Sequence, residues 1–304
     1  MLVQGRDCSI VIKTEHREID VPYSAETLRE AVSFLQEEAA IEGDGICRGL
    51  WKNTGVTGCV VTPLTLGTAP LLLYLAMGAA GNPVYISETR NLYQYQIDLL
   101  PTEDTEHFDL IQDRGASNNE QLTNNKEGIK RSGERKLFEG CRVISFELRI
   151  MRGEAIKLKL DICGERNPVI YPYADIFDKE QGERFSGDCV AYTINGSEYK
   201  NIYGITLTSK KIGGTKTELW IKRVKEQGPD IPDNIEEIVI TAQLLRDRYE
   251  NRFYGTFRIT IKKLVFISDE TEINASGAVM GPVRYYVAGT VSTEVFSSTG
   301  EIIP

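Results

Sequence analysis

Alternation of apolar and polar residues with a period of two constrains the fold of this chain more than any other sequence feature. Between residues 144 and 150 every second residue is Ile, Phe or Leu, and Ser, Glu and Arg lie between them. After Gly153 the same alternation runs from residue 156 to residue 162. Successive side chains of a strand point to opposite faces, so each segment predicts a strand with one buried face. Together they predict a hairpin in a mainly β protein.

Other segments carry the same signals for regular structure. The remaining predicted strands are 8–13, 91–100, 190–194, 215–224, 257–261 and 283–291. Asn195-Gly196 predicts a hairpin turn. Thr68 as a cap, Pro70 in the first turn and Gly78 at the end predict a helix that is apolar all round and buried against a sheet. Residues 24–39 fit either an amphipathic helix or an extended arm.

The length and charge of the chain exclude some classes of protein. A chain of 304 residues is long enough for two domains, and we predict them at 1–167 and 168–304, joined within the segment 164–187. The net charge of −9 disfavours tight binding of nucleic acid, which depends on Lys and Arg. The longest apolar run, 71–77, is too short to span a bilayer, and the first residues do not resemble a signal peptide. We therefore expect a soluble protein made in a cytoplasm, without membrane contact.

The residues that usually carry catalysis are sparse and scattered. The two histidines, His16 and His107, do not occur in a metal-binding spacing, and no nucleophile elbow or phosphate-binding loop is present. We predict no catalytic residues, no metal and no cofactor. A Cys–His nucleophile pair assembled by the fold stays open as an alternative. The six cysteines include no CxxC pair and are expected to be free thiols: Cys8, Cys47, Cys59, Cys141, Cys163 and Cys189.

Short matches within the chain indicate an internal duplication. Asp7-Cys8 and Asp188-Cys189 each open a strand and are 181 positions apart, from 188 − 7. Phe-x-Gly at Phe138 and Gly140 matches Phe-x-Gly at Phe253 and Gly255, with a shift of 115 from 253 − 138. The shared order of the matches favours two copies of one β-rich unit. In the second copy, residues 231–238 would hold a shortened helix.

The order of features between residues 19 and 163 resembles the phage tail tube family. An extended segment, Ile19-Asp20-Val21-Pro22-Tyr23, precedes a glycine-punctuated region, the apolar helical segment 63–78 and a long polar loop. A hairpin from Phe138-Glu139-Gly140 to Asp161-Ile162-Cys163 completes the pattern. The resemblance implies two tandem β-sandwich or β-barrel tail-tube domains with a flanking helix.

The resemblance also implies a structural role in a virion. The chain would be a tail tube subunit, not an enzyme, that forms stacked rings around a channel for double-stranded DNA. Two copies per chain imply trimers that form pseudo-hexameric rings, with the tail terminator, tape measure and distal tail proteins as further partners. The tail would be assembled in the bacterial host cytoplasm. DNA would pass without specific binding through a lumen that we expect Asp and Glu to line.

The polar loop 113–136 supplies candidates for contacts between stacked rings, because long polar loops in compact domains are often functional. The candidates are Arg114, Asn118, Asn119, Asn124, Lys126, Lys130, Arg131 and Arg135. Two other classes remain open. One is a distal tail or baseplate hub protein with the same domain, which would not polymerise into long tubes. The other is a β-sandwich binding module, which exposed aromatic platforms would favour.

Overall fold

The structure is a computed structural model, and it describes residues 9–14, 18–36, 49–87, 92–100, 106–113, 135–164, 166, 169–170, 184–188, 190–211, 214–223, 230–246, 253–270, 272–274, 277–279 and 282–297. Strands form most of these residues, which confirms a mainly β protein. No helix in the described part of the chain is long and apolar enough to cross a membrane.

The helix α1 comprises Ala69–Met77. The strands are β1 (Ser9–Lys13), β2 (Glu18–Val21), β3 (Ala25–Glu26), β4 (Arg29–Gln36), β5 (Gly49–Pro63), β6 (Gly78–Ala80), β7 (Val84–Ser87), β8 (Leu92–Leu99), β9 (Phe108–Asp113), β10 (Arg135–Met151), β11 (Lys157–Gly164), β12 (Val169–Ile170), β13 (Val190–Ile194), β14 (Ser197–Glu198), β15 (Ile202–Lys210), β16 (Lys216–Arg223), β17 (Asn234–Arg246), β18 (Phe253–Asp269), β19 (Glu272–Asn274), β20 (Gly277–Val279), β21 (Val283–Val287) and β22 (Val291–Ser297).

Several local predictions are confirmed in detail. β13 has the predicted bounds, and the Asn195-Gly196 turn after it has the two positive φ angles, 48° and 80°, of a tight hairpin turn. α1 is buried except at Tyr74 and ends at Gly78 with φ 105°. Thr68 precedes α1, but its hydroxyl lies 2.9 Å from that of Thr65 and makes no side-chain cap.

The chain divides into two compact units that are interleaved along the sequence. One contains the described residues of Met1–Val60, His107–Arg142 and Asp161–Asp178, and the other contains those of Val61–Glu106, Val143–Leu160 and Lys179–Pro304. These units do not coincide with the predicted ranges 1–167 and 168–304. The physical reason is strand pairing across long sequence distances, as between β8 and β22.

In the first unit, β1 lies between β2 and β9, and β9 also pairs with β10. Val11 lies opposite Ile111, which lies opposite Leu137, and these three side chains form a buried cluster. β4 pairs with β5, with Phe34 opposite Trp51. This pairing resolves the ambiguity of residues 24–39 for its described part in favour of strands, since β5 supplies a partner for the backbone of β4.

In the second unit, six strands follow one another in the order β7, β8, β22, β18, β17, β13, and every neighbouring pair is antiparallel. One row of side chains crosses five of these strands and is buried throughout: Ile97, Thr293, Ile259, Ile240 and Tyr192. α1 contacts β8 and β22, and the Thr293 hydroxyl lies 3.6 Å from Met77 Sδ. The predicted packing of the helix against a sheet is therefore confirmed.

A second series in the same unit shares β18 and continues through β21, β16, β15 and the end of β10. β18 pairs with β22 through residues 258–261 and with β21 through residues 264–269. Lys263, with φ 54°, lies between these two stretches. The buried row of this series consists of Leu148, Leu207, Leu219 and Tyr285.

Two sequence predictions in this unit are wrong. The predicted strand 283–291 is two strands, β21 and β22, because Ala288 donates its N–H to the Lys263 carbonyl and the chain turns there. Residues 231–238, which were predicted to hold a shortened helix, instead lead into β17 and form its first residues. Asn234 and Ile235 pair with Val265 and Leu264 of β18, so their backbone is committed to a sheet.

Candidate functional site

Most of the residues predicted to contact a stacked ring lie outside the described residues: Arg114, Asn118, Asn119, Asn124, Lys126, Lys130 and Arg131. Arg135 begins β10, and its side chain is outside the described part as well. The structure thus brings none of these side chains into a described contact. Their role stays a prediction.

The structure describes only some of the residues on which the predicted duplication rests. Cys8 and Cys189 are outside the described residues. Phe138 is buried, and Gly140 has φ 63° and donates its N–H to the Asp109 carboxylate at 3.0 Å. Phe253 and Gly255 lie at the start of β18. The match between the two Phe-x-Gly sites stays a prediction.

A different repeat emerges when the described strands are compared. Val-Tyr-Ile-Ser forms β7, and Val-Phe-Ile-Ser occupies residues 265–268 of β18. The shift is 181, from 265 − 84, which equals the shift of the Asp-Cys match. Both copies are visible in the sequence, but the predicted duplication did not include them.

The two copies of this repeat have the same hairpin geometry. In β7, Val84 lies opposite Gln94 and Tyr85 opposite Tyr93, and a β-bulge precedes Ser87. In β18, Val265 lies opposite Tyr286 and Phe266 opposite Tyr285, and a β-bulge precedes Ser268. The ring centroids of the aromatic pairs are 4.9 Å and 6.1 Å apart. Equal register, bulge position and aromatic pairing indicate that the two hairpins are equivalent.

The exposed apolar surface of the described residues is concentrated in these two hairpins. Seven of the nine large exposed apolar side chains belong to them: Val84, Tyr85, Ile86, Val265, Phe266, Ile267 and Tyr286. Runs of three consecutive exposed apolar residues are unusual in a strand, because alternation normally buries every second one. Such a concentration marks a candidate interaction surface.

The hairpins differ in how their strands are flanked. Val265 pairs with Tyr286 on one side and with Asn234 of β17 on the other. β7 pairs with β8, and within the described residues it has no second partner strand. Among the described residues, the edge of β7 beside Val84, Tyr85 and Ile86 is therefore not paired with a further strand. An exposed, apolar strand edge is a template for pairing with another strand.

A charged cluster lies across β16 and β21, on the face opposite Leu219 and Tyr285. Glu218 Oε1 lies 2.7 Å from Lys216 Nζ, and Glu218 Oε2 lies 3.0 Å from an Arg284 guanidinium nitrogen. The hydrogen bond from Lys216 and the one from Arg284 lower the pKa of Glu218, and burial acts in the opposite direction. Arg284 also covers the Trp220 ring, with 4.2 Å from its guanidinium carbon to the ring centroid. Trp220 therefore does not offer an open aromatic platform for a sugar.

We expect Glu218→Gln to lower the free energy of unfolding at pH 7 by roughly 0.5–1 kcal/mol, because the largely exposed Lys216 and the partly exposed Arg284 lose the carboxylate that they share. The loss should disappear as pH falls through the lowered pKa of Glu218, since the protonated wild-type side chain is then neutral as well. Urea unfolding of both proteins between pH 3 and 7 measures this. Glu147→Gln, in the same cross-strand row, is the control and should change little. An equal loss in both variants would assign the effect to general charge.

Two buried nucleophilic groups are closed to substrates. Lys211 is 1% exposed, and its Nζ has no hydrogen-bond partner in the described part of the structure. Burial raises the pKa of the Cys141 thiol to about 12, which keeps it protonated and unreactive. Cys59, Cys141 and Cys163 are free thiols. Among the described residues, no group of three or more His, Cys, Asp or Glu could hold a metal ion.

Comparisons of the chain with protein-family models and with curated protein sequences give no match.

Proposed function

We propose that this chain is a structural subunit of a tube, of the kind that forms the tails of long-tailed phages. The observation that carries the proposal is the duplicated hairpin, one copy of which has an apolar edge that no strand of the described residues covers. A strand edge of this kind gains hydrogen bonds and buries apolar surface when another strand joins it. Closure of such pairing into a ring removes the free edges.

The duplication supports the expected ring. If each chain contributes two hairpins of the same internal geometry, three chains give six similar positions around one axis. Rings of three chains would then stack into a tube that surrounds double-stranded DNA. We place the assembled protein in a virion tail, built in a host cytoplasm with terminator, tape measure and distal tail proteins. We also propose that the chain forms the tandem β-sandwich domains of such subunits.

The negative net charge of the chain is compatible with this role. DNA carries about one charge per 1.7 Å of helix axis, so a strongly basic channel would hold it. With a net charge of −9, the chain has an excess of carboxylates that can face the lumen. We propose a lumen lined by Asp and Glu, and a measured positive lumen would contradict it.

The second candidate is a distal tail or baseplate hub protein with the same domain. An apolar strand edge would suit such a protein equally well, because it would form a ring that does not polymerise into a tube. A carbohydrate-binding module is less well supported because Arg284 covers Trp220. An enzyme has no support from the buried Lys211 or Cys141, which substrates cannot reach.

The test is the assembly state of the purified wild-type chain. We expect negative-stain microscopy to show rings and long tubes, and mass measurement of the smallest ring to give three chains. Single rings that do not stack into tubes would favour the distal tail or hub protein. A ring of six chains would contradict the trimer, and a monomer at all concentrations would contradict the proposed function.

A further inference from the structure

We propose that Asn195 is a site of spontaneous deamidation, and that the folded chain holds this reaction back. Asn195 and Gly196 form the exposed turn between β13 and β14. Glycine has no side chain to hinder attack by its backbone nitrogen on the preceding asparagine. The chain contains no other asparagine that is followed by glycine. The sequence therefore contains one reactive pair, and the structure decides when it can react.

The reaction needs only the two residues and water. The Gly196 nitrogen loses its proton to hydroxide and bonds to Cγ of Asn195, so that negative charge develops on Oδ1. The bond from Cγ to Nδ2 then breaks, and Nδ2 takes up a proton and leaves as ammonia. Water opens the resulting five-membered imide at the side-chain carbonyl to give aspartate. Opening at the main-chain carbonyl gives isoaspartate, whose backbone runs through the former side chain.

The backbone of the turn keeps the two reacting atoms apart. Asn195 has φ 48° and Gly196 has φ 80°, and two positive φ angles in a two-residue hairpin loop define a type I′ turn. The ψ angle at the first position of such a turn is about +30°. At that angle the Gly196 nitrogen lies nearly opposite Cβ of Asn195 across the Cα–C bond. The imide ring needs both atoms on the same side, so the turn must rotate before it can react.

The side chain of Asn195 is held against the start of β17. Its Oδ1 accepts the N–H groups of Glu236 at 2.9 Å and Glu237 at 3.1 Å, and its Nδ2 lies 3.5 Å from the Asn234 carbonyl oxygen. The backbone N–H of Asn195 also donates to the Glu237 carbonyl at 2.9 Å. Rotation at Asn195 would break these contacts. Deamidation therefore requires the turn to separate from β17.

The two N–H groups on Oδ1 also resemble an oxyanion hole, which would speed the reaction if the nucleophile were in place. Such donors lower the barrier only when the attacking atom can reach the carbonyl carbon. In the type I′ turn the Gly196 nitrogen cannot reach Cγ of Asn195, so the same hydrogen bonds stabilise the unreacted side chain. The folded chain should therefore react more slowly than the unfolded chain.

Deamidation would change the turn differently in its two products. Aspartate keeps oxygens that can accept the two N–H groups of β17, but it has no N–H to donate to the Asn234 carbonyl. Isoaspartate adds a CH₂ group to the backbone of a two-residue turn. The pairs Thr193–Glu198 and Ile194–Ser197 then cannot both keep their register. Formation of isoaspartate would therefore damage the hairpin of β13 and β14.

Peptide mapping with mass spectrometry tests the proposal, because it separates asparagine, aspartate and isoaspartate at residue 195. The full-length wild-type protein is incubated at pH 8 and 37 °C, both in buffer and in guanidinium chloride that unfolds it. We expect Asn195 to deamidate at least about tenfold more slowly in the folded protein, since reaction waits for the turn to open. A smaller difference, or a faster reaction in the folded protein, would overturn the proposal, as would an unreactive Asn195 in the unfolded chain.

Two substitutions of Glu236 test the side-chain contact separately. The described pairing of β17 with β18 passes from Ile235 to Glu237, and the N–H of Glu236 donates to Asn195. Glu236→Pro removes this N–H, whereas Glu236→Gln keeps it and removes only the charge. We expect the folded Pro variant to deamidate roughly fivefold faster than the wild type, as loss of one hydrogen bond implies, and the Gln variant to match the wild type.

Circular dichroism checks that both variants are folded. Equal rates in the folded Pro and Gln variants would show that the contact with Glu236 does not restrain Asn195, and that part of the proposal would be wrong. If the Pro variant does not fold, the comparison of folded with unfolded wild type decides the proposal by itself.

Discussion

Replacement of Phe257 with alanine is expected to lower the free energy of unfolding by about 3–5 kcal/mol, the largest effect that we predict for a single substitution. Phe257 is fully buried on β18 and lies opposite Ala242 of β17. Its ring is 5.5 Å from that of Phe185, centroid to centroid. The loss combines the transfer of a large apolar side chain with the cavity that remains.

The surroundings of Phe257 leave little room for collapse into that cavity. Phe185 is held by backbone hydrogen bonds on both sides, from its N–H to the Leu64 carbonyl and from the Ile156 N–H to its own carbonyl. It therefore cannot easily move toward the space left by Phe257. Since small and medium domains are stable by only about 5–15 kcal/mol, the variant could be largely unfolded at 37 °C.

Urea unfolding followed by circular dichroism measures the change, and Phe266→Ala is the matched control. Phe266 lies on the same strand but is 38% exposed and keeps an edge contact with Tyr285. Its removal should cost about 1 kcal/mol. Equal losses in the two variants would show that Phe257 does not occupy the tightly packed position described.

Replacement of Lys211 with methionine is expected to stabilise the protein at pH 7 by about 1–3 kcal/mol. The side chain is 1% exposed, its Nζ has no hydrogen-bond partner in the described part of the structure, and burial lowers its pKa from 10.5 to about 8. Methionine has a similar length and no charge to desolvate. The backbone N–H of Lys211, bonded to the Ile144 carbonyl at 2.9 Å, is unaffected.

The same substitution should change the pH dependence of stability. Between pH 8 and 10.5 the unfolded wild-type chain binds a proton at Lys211 that the folded chain largely lacks, so wild-type stability rises with pH over this window. Below pH 8 the full cost of the buried amine is present. Lys211→Met should remove this rise. The measurement is best made up to pH 9.5, because burial also raises the pKa of Tyr192 and Tyr285, and stability falls at higher pH as the unfolded tyrosines ionise.

Lys210→Met serves as the control, because Lys210 is the exposed neighbour on β15 and should contribute within about 0.5 kcal/mol. A loss of stability in Lys211→Met, with no change in the pH slope, would mean that the amine has an anionic partner in the folded protein. Stabilisation by both substitutions alike would point to the removal of positive charge in general.

Local sequence signals predicted the elements that depend on neighbouring residues. β13, the Asn195-Gly196 turn and α1 all follow from patterns within ten residues, and the structure has each of them at or near the predicted bounds. Elements that depend on distant residues were harder to predict. The division of 283–291 into β21 and β22 follows from a bond to Lys263, and β4 is a strand because β5 pairs with it.

The sequence by itself determined which faces of the strands are apolar, where the chain turns, and that Val-aromatic-Ile-Ser occurs twice at the shift of 181. Side-chain alternation and turn chemistry act over a few residues, so they can be read directly from the chain. The tertiary structure decided which of the two equivalent strands is covered. Asn234 reaches Val265 from 31 positions away, and within the described residues nothing similar reaches Val84. The unpaired N–H and C=O groups of a strand edge bond to whichever strand the fold places beside them. A local sequence pattern does not show which strand that is.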